Sequence, residues 1–230
     1  MISEIALWLI FVFPIVSFLL IGLVIRPFFR RHYQITGYIT VLSITAAFVL
    51  SLWALLSVLS TDSVEIGRQS LYWEPYSWLT VGTIEISVGI FLDPLTVIMI
   101  TVVTGVSLMV QIYSLEYMKS DDGYARYFAL MSLFTASMIG LVIASNIIQL
   151  FIFWELVGLC SYLLIGFWYQ RPSAAAAAKK AFIVTRFGDF AFLLAILYLI
   201  FNADTFAIHN LNVLDITSIN YMAKAGLLGT

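Results

Sequence analysis

Between Ile5 and Ile25 the chain carries no charged residue. A run of about 20 apolar residues crosses the hydrocarbon core of a bilayer as a helix, and in lipid a helix satisfies its own backbone polar groups. The pattern recurs over Ile35–Leu59, from Pro94 to about Tyr113, over Arg126–Ala144, over Ile147–Trp168, and from an alanine-rich stretch holding Lys179 and Lys180 to Phe201. Six spans are predicted. With 62% hydrophobic and 10% charged residues, against about 25% charged in soluble domains, there is too little charge to coat a water-facing surface. Composition therefore excludes a cytosolic enzyme, a disordered tail, a nucleic-acid binder and a disulfide scaffold. The expected fold class is an all-α polytopic membrane protein lying in the lipid bilayer.

Four segments follow. Residues 1–59 hold two N-terminal spans, the first closed by Arg26, Pro27, Arg30 and Arg31. That charge follows the apolar run, whereas a signal peptide carries it before. Residues 60–91 are a polar loop in which Ile84, Ile86, Val88 and Ile90 alternate with Glu85, Ser87 and Gly89. A period of two reads as a strand, so a short β-hairpin is expected at the membrane surface, its Tyr72, Trp73, Tyr76 and Trp78 suited to the headgroup level. Residues 92–201 hold spans three to six, opened by Asp93 as N-cap with Pro94 at the first helical position. Ser145-Asn146 is a tight break between spans four and five. Residues 202–230 read as a polar, irregular loop and then a seventh apolar run from about Tyr221, which Lys224 enters from the outer side. Ending at Gly-Leu-Leu-Gly-Thr within such a run is expected of a fragment.

Placing the N-terminus outside puts Arg26, Arg30, Arg31, Lys119, Arg126, Arg171, Lys179 and Lys180 on the cytoplasmic side and leaves Arg68 opposite, with Glu65, Glu74, Glu85, Asp204 and Asp215. This asymmetry satisfies the positive-inside rule and makes the hairpin extracytoplasmic. One cysteine, Cys160, rules out disulfides, CxxC pairs and cysteine-ligated iron–sulfur clusters within the stretch. Two histidines, His32 and His209, make a buried haem or zinc site unexpected.

Three ionisable residues lie inside apolar runs. Glu155 is near the middle of span five, on the order of 12 Å from its outer end and roughly 20 Å from its inner end at 1.5 Å per residue. Such a group costs about 2.5–3.5 kcal/mol or more to insert, and an isolated carboxylate there binds a proton. Arg186 and Asp189 on span six are three residues apart and share a face. If spans five and six are neighbours, Lys180, Arg186, Asp189 and Glu155 form one polar seam from cytoplasm to mid-membrane. The competing reading makes Glu155 interhelical glue, Arg186–Asp189 a structural ion pair, Cys160 a packed small hydrophobe, and Gly158 and Gly166 points of close helix contact.

Phe91-Leu-Asp-Pro-Leu-Thr, Tyr124-Ala-Arg-Tyr-Phe, Trp154-Glu-Leu-Val-Gly-Leu-Cys-Ser-Tyr-Leu-Leu-Ile-Gly-Phe-Trp and Lys180-Ala-Phe-Ile-Val-Thr-Arg-Phe-Gly-Asp together resemble chain 5, or subunit L, of respiratory complex I. That is the antiporter-like membrane subunit of NADH-quinone oxidoreductase. The likeness is dense over about 90–201 and extends to the layout of the earlier part. It implies an antiporter-like helix bundle and a proton-translocating membrane-arm subunit, docked against a neighbouring antiporter-like subunit. It implies no cofactor in this chain, with FMN, iron–sulfur clusters and quinone held by partner subunits. By resemblance, Glu155 pairs with a helix-seven lysine, Arg186 and Asp189 are the helix-six pair, and Lys180 is the basic residue before them. A family lysine motif on helix seven is not recognisable around Lys224. The implied home is a bacterial inner membrane, or a mitochondrial inner or thylakoid membrane if organellar. The large subunit of a Mrp-type sodium/proton antiporter shares the Trp-Glu of span five and is the first alternative. A passive structural subunit is the second.

Overall fold

A computed structural model of the chain describes residues 3–28, 34–59, 71–72, 75–81, 84–209 and 211–226. Arg30, Arg31, Glu65, Arg68, Trp73 and Glu74, which entered the orientation and hairpin readings, lie outside them, as does His32.

Six helices are long and apolar enough to cross a membrane: α1 (Glu4–Phe28), α2 (Ile35–Leu59), α3 (Pro94–Tyr117), α4 (Tyr124–Val142), α5 (Ile147–Ile165) and α6 (Pro172–Phe201). Ser3 caps α1 by accepting from the Ala6 amide, and Leu20–Ile25 of that helix is wound as a π-helix. Asp93 caps α3, its Oδ1 accepting from Thr96 N at 2.6 Å, with Pro94 in the first turn. Asn146 caps α5 by accepting from Gln149 N at 2.7 Å. α5 stops at Ile165, short of Trp168, because Gly166 takes the cap position and a turn follows.

Helices α1 to α4 form the body of the bundle, α1 against α2 and α4, and α2 against α3; α5 packs on α4 and α6 on α5. Leu7, Ile10, Ala47, Ala54, Ile100 and Ile139 fill one end of the core, and Ile21, Tyr124, Phe128 and Phe167 fill the other. Hydroxyls bridge the helices between them: Ser51 to Thr104 at 2.9 Å, Ser107 to Thr135 at 2.6 Å, Ser17 to Ser132 at 3.3 Å. In apolar surroundings each such bond contributes about 0.6–2 kcal/mol. Burial thins outward: 44% of the most apolar stretch of α4 is buried but only 11% of that of α6. α6 thus leans on α5 by one stripe and exposes Phe187, Phe190, Leu194 and Phe201 on its other faces.

The expected hairpin is present as β2 (Tyr76–Val81) antiparallel to β3 (Ile84–Val88), beside a shorter pair of β1 (Leu71–Tyr72) with β4 (Phe91–Leu92). The register shifts between Ser77 and Leu79, which leaves Trp78 as the extra residue, 75% exposed. Two expectations are corrected. The stretch after α6 is not irregular: it contains the short helices α7 (Ala203–Ile208) and α8 (Ile216–Lys224). Nor does a helix start at Tyr221, which lies within α8; that helix begins at Ile216, capped by Asp215, and is amphipathic. Its Met222 is buried in a cluster with Phe206, Val213 and Leu214 against Ile86 and Ile147, so these scattered apolar residues fold onto the hairpin and the start of α5.

Candidate proton-transfer site between α5 and α6

Glu155 lies near the middle of α5, and Arg186 and Asp189 share one face of α6. With α6 packed on α5, Arg186 Nη1 pairs with Glu155 Oε2 and stands 3.5 Å from Asp189 Oδ2. One guanidinium therefore serves two carboxylates on different helices. The Asp189 side chain is 9% exposed, Glu155 25% and Arg186 31%, so Asp189 is the buried member and the other two are partly open.

Around the triad the apolar helices supply specific supports. The Trp154 indole donates from Nε1 to Asp189 Oδ1 at 2.7 Å, so both Asp189 oxygens are engaged. Phe192 sets its ring edge-to-face with Trp154 at 6.4 Å and with Phe151 at 5.4 Å, holding the indole's plane. The Arg186 guanidinium lies 4.6 Å over the Phe182 ring, a cation–π contact one turn back on α6. Its Nη2 lies beside Gly158, 3.4 Å from where a Cβ would stand, an ordinary contact distance. Arg186 Nε is buried without a hydrogen-bond partner.

Of the four expected site residues, the structure brings together Glu155, Arg186 and Asp189 and leaves Lys180 apart. Lys180 is exposed on α6. At 100° per residue, six residues place it about 120° round the helix from Arg186, so the expected seam does not pass through it. Sequence reasoning missed Trp154 as a donor, although it adjoins Glu155 and a buried indole N–H usually needs an acceptor. Gly158, expected at a point of close helix contact, faces Arg186 of α6. Cys160 is buried as expected, its Sγ 4.0 Å from Ser137 Oγ.

Known proteins resemble the chain in sequence and in fold. Residues 78–128 match the family model described as NADH-ubiquinone oxidoreductase (complex I), chain 5 N-terminus. Residues 144–229 match that described as NADH:quinone oxidoreductase/Mrp antiporter, transmembrane. The chain is 46% identical over 205 residues to NAD(P)H-quinone oxidoreductase subunit 5, chloroplastic, of Anthoceros angustus, covering 89% of this chain and 27% of that protein. It is 46% identical over 190 residues to the subunit of the same name from Mesostigma viride, covering 83% and 28%. The chain thus spans about a quarter of the length of these curated relatives. Among solved structures, the Mrp complex from Dietzia sp. superposes with a TM-score of 0.63 at 26% identity, over 85% of this chain and 19% of that one. The archaeal membrane-bound sulfane sulfur reductase superposes with a TM-score of 0.67 at 19% identity, over 87% and 37%, a likeness of fold alone.

The six spans and these likenesses together define an antiporter-like, multi-pass membrane protein. Within that class, the chain belongs to the complex I chain 5 family, matching its N-terminal part.

Proposed function

We propose that this chain is part of a proton-translocating membrane-arm subunit of an NADH:quinone oxidoreductase, in which Glu155, Arg186 and Asp189 form one station of the proton path. The observation that carries the proposal is a single guanidinium shared by two carboxylates between two membrane helices. While Arg186 pairs with Glu155, the guanidinium supplies that carboxylate's countercharge. When Arg186 turns fully to Asp189, Glu155 loses its countercharge in a poorly solvated setting, and a proton replaces it. Lys180, exposed about 120° round α6 from Arg186, has no part in this station. FMN, iron–sulfur clusters and quinone reside in partner subunits, and quinone reduction there drives the movement of Arg186. The chain itself performs no redox step and docks against a neighbouring antiporter-like subunit. The names of the relatives support the reading. The host membrane is the energy-conserving one, bacterial inner, mitochondrial inner or thylakoid, with the N-terminus outside.

The test is proton uptake driven by quinone reduction in vesicles carrying the assembled complex with Glu155→Gln. The expected result is reduced uptake; full uptake at unchanged electron flux removes Glu155 from the path. A second reading, the large subunit of a Mrp-type sodium/proton antiporter, is favoured by the likeness to the Dietzia complex. Sodium transport in the absence of quinone chemistry would establish it in place of the first.

A further inference from the structure

At the end of the bundle where α1 finishes, α3 turns into α4 and α5 turns into α6, a cavity of about 810 Å³ opens between the three chain segments. Its wall carries three arginines from three different elements: Arg26 from α1, Arg126 from the first turn of α4, and Arg171 from the turn before α6. We infer that this cavity binds the phosphodiester headgroup of an anionic phospholipid.

Its arginines are set for an anion. The Arg126 guanidinium is held in place: Nη2 donates to the Phe167 carbonyl at 2.7 Å, and Cζ lies 4.6 Å over the Phe167 ring and 5.2 Å from that of Tyr169. Its Nε is buried with no hydrogen-bond partner, a donor lacking an acceptor in the wall of a polar cavity, and such a group is costly to leave unmade. Arg171 lies 5.3 Å over the Trp168 ring and is exposed, as is Arg26. Planar guanidiniums match phosphate oxygens two at a time. Of the two acids present, Asp121 is occupied: Oδ1 accepts from Gly123 N at 2.7 Å and Oδ2 from Trp168 Nε1 at 2.9 Å. Asp121 and the exposed Asp122 each set one negative charge against an anion there, opposed by the three arginines.

Place selects a lipid over a free phosphate. The cavity lies at the ends of five membrane spans, where Trp168 and Tyr169 stand 41% and 61% exposed, the residue types that settle at the headgroup level. Basic pockets between spans are where anionic headgroups dock, and Ile25, Ala125 and Phe167 give this one an apolar side.

The experiment photolabels the intact purified complex containing this chain with phosphatidylglycerol bearing a diazirine on its glycerol headgroup, and maps the label by mass spectrometry. Label is expected within residues 120–126 and 167–171, removed by excess phosphatidylglycerol but not by phosphatidylcholine or inorganic phosphate. Arg26→Gln and Arg171→Gln should each lower labelling about fivefold, and Asp122→Asn should raise it. Arg126→Gln should abolish it, but that change also removes the bond to the Phe167 carbonyl, so the two exposed arginines decide. Equal labelling in both exposed-arginine variants, or equal competition by phosphatidylcholine, overturns the inference. Competition by inorganic phosphate alone assigns the cavity to a free anion and overturns the lipid.

Discussion

At the residue scale, Asp189 is the most demanding position, because a buried carboxylate must keep every partner it has. Its oxygens face the Trp154 indole and Arg186. Asp189→Asn retains an acceptor for the indole, whereas Asp189→Leu strands both the indole N–H and one side of the guanidinium. We expect the leucine variant to be less stable than the asparagine variant by about 1–3 kcal/mol, read as a lower midpoint for thermal dissociation of the subunit from its complex. Equal midpoints would show that Trp154 does not depend on Asp189. Gly158 gives a graded companion test. A single methyl there reaches only ordinary contact with Arg186, so Gly158→Ala should leave both stability and proton uptake near the parent. Gly158→Leu should displace the guanidinium and reduce uptake. The triad itself was readable from three charges in apolar runs. Its supports were not, because hydropathy places a residue by depth and says little about its angle round the helix. Lys180 shows the same gap: its depth suited the seam and its azimuth did not.

Elements meet at two junctions whose geometry can be checked. Between α4 and α5, Gly140 lets the Phe153 ring lie where a Cβ would be, at 2.6–2.7 Å. Phe153 cannot swing away freely, since Phe11 of α1 is set edge-to-face against it at 5.3 Å. Gly140→Ala should therefore cost about 1–3 kcal/mol through overpacking, measured as for Asp189; no change in midpoint would mean the ring repacks without penalty. The second junction is the α4–α5 turn. Gln149 donates to the Gly89 carbonyl at 3.1 Å and accepts from the Gly89 amide at 3.2 Å, standing in for a neighbouring strand. Asn146 reaches the Ser87 carbonyl, and Ile147 N bonds the Leu214 carbonyl at 2.9 Å. The hairpin and the segment before α8 are thus tied to the same turn. Gln149→Leu should strand both groups of Gly89 and speed amide exchange over residues 85–92; unchanged exchange would show that strand pairing alone holds the hairpin. Asn146 was legible as the break between two spans, but its second role was not, because it depends on a partner 59 residues away. Helices α7 and α8 were missed for a related reason. Val213, Leu214 and Met222 form no long apolar run, and their burial exists only once the hairpin and α5 are in place.

For the whole molecule, the six spans were legible because a membrane helix satisfies its backbone locally and announces itself by length and hydropathy. How the spans assemble was not. Lipid-facing and protein-facing sides are both apolar, so small residues and hydroxyl pairs such as Ser107 with Thr135 decide the neighbours. Orientation rests on the basic links, and Ser3→Cys tests it: with the N-terminus outside, a membrane-impermeant maleimide should label it in intact cells or right-side-out vesicles. Labelling confined to inverted vesicles would reverse the topology. The central claim is that one cation shared by Glu155 and Asp189 moves a proton, and protons translocated per quinone reduced test it most directly in vesicles holding the assembled complex. Arg186→Gln should lower that ratio while electron flow continues, and Arg186→Lys, which keeps a cation between the two acids, should restore part of it. An unchanged ratio in Arg186→Gln, with the complex intact, would contradict the claim.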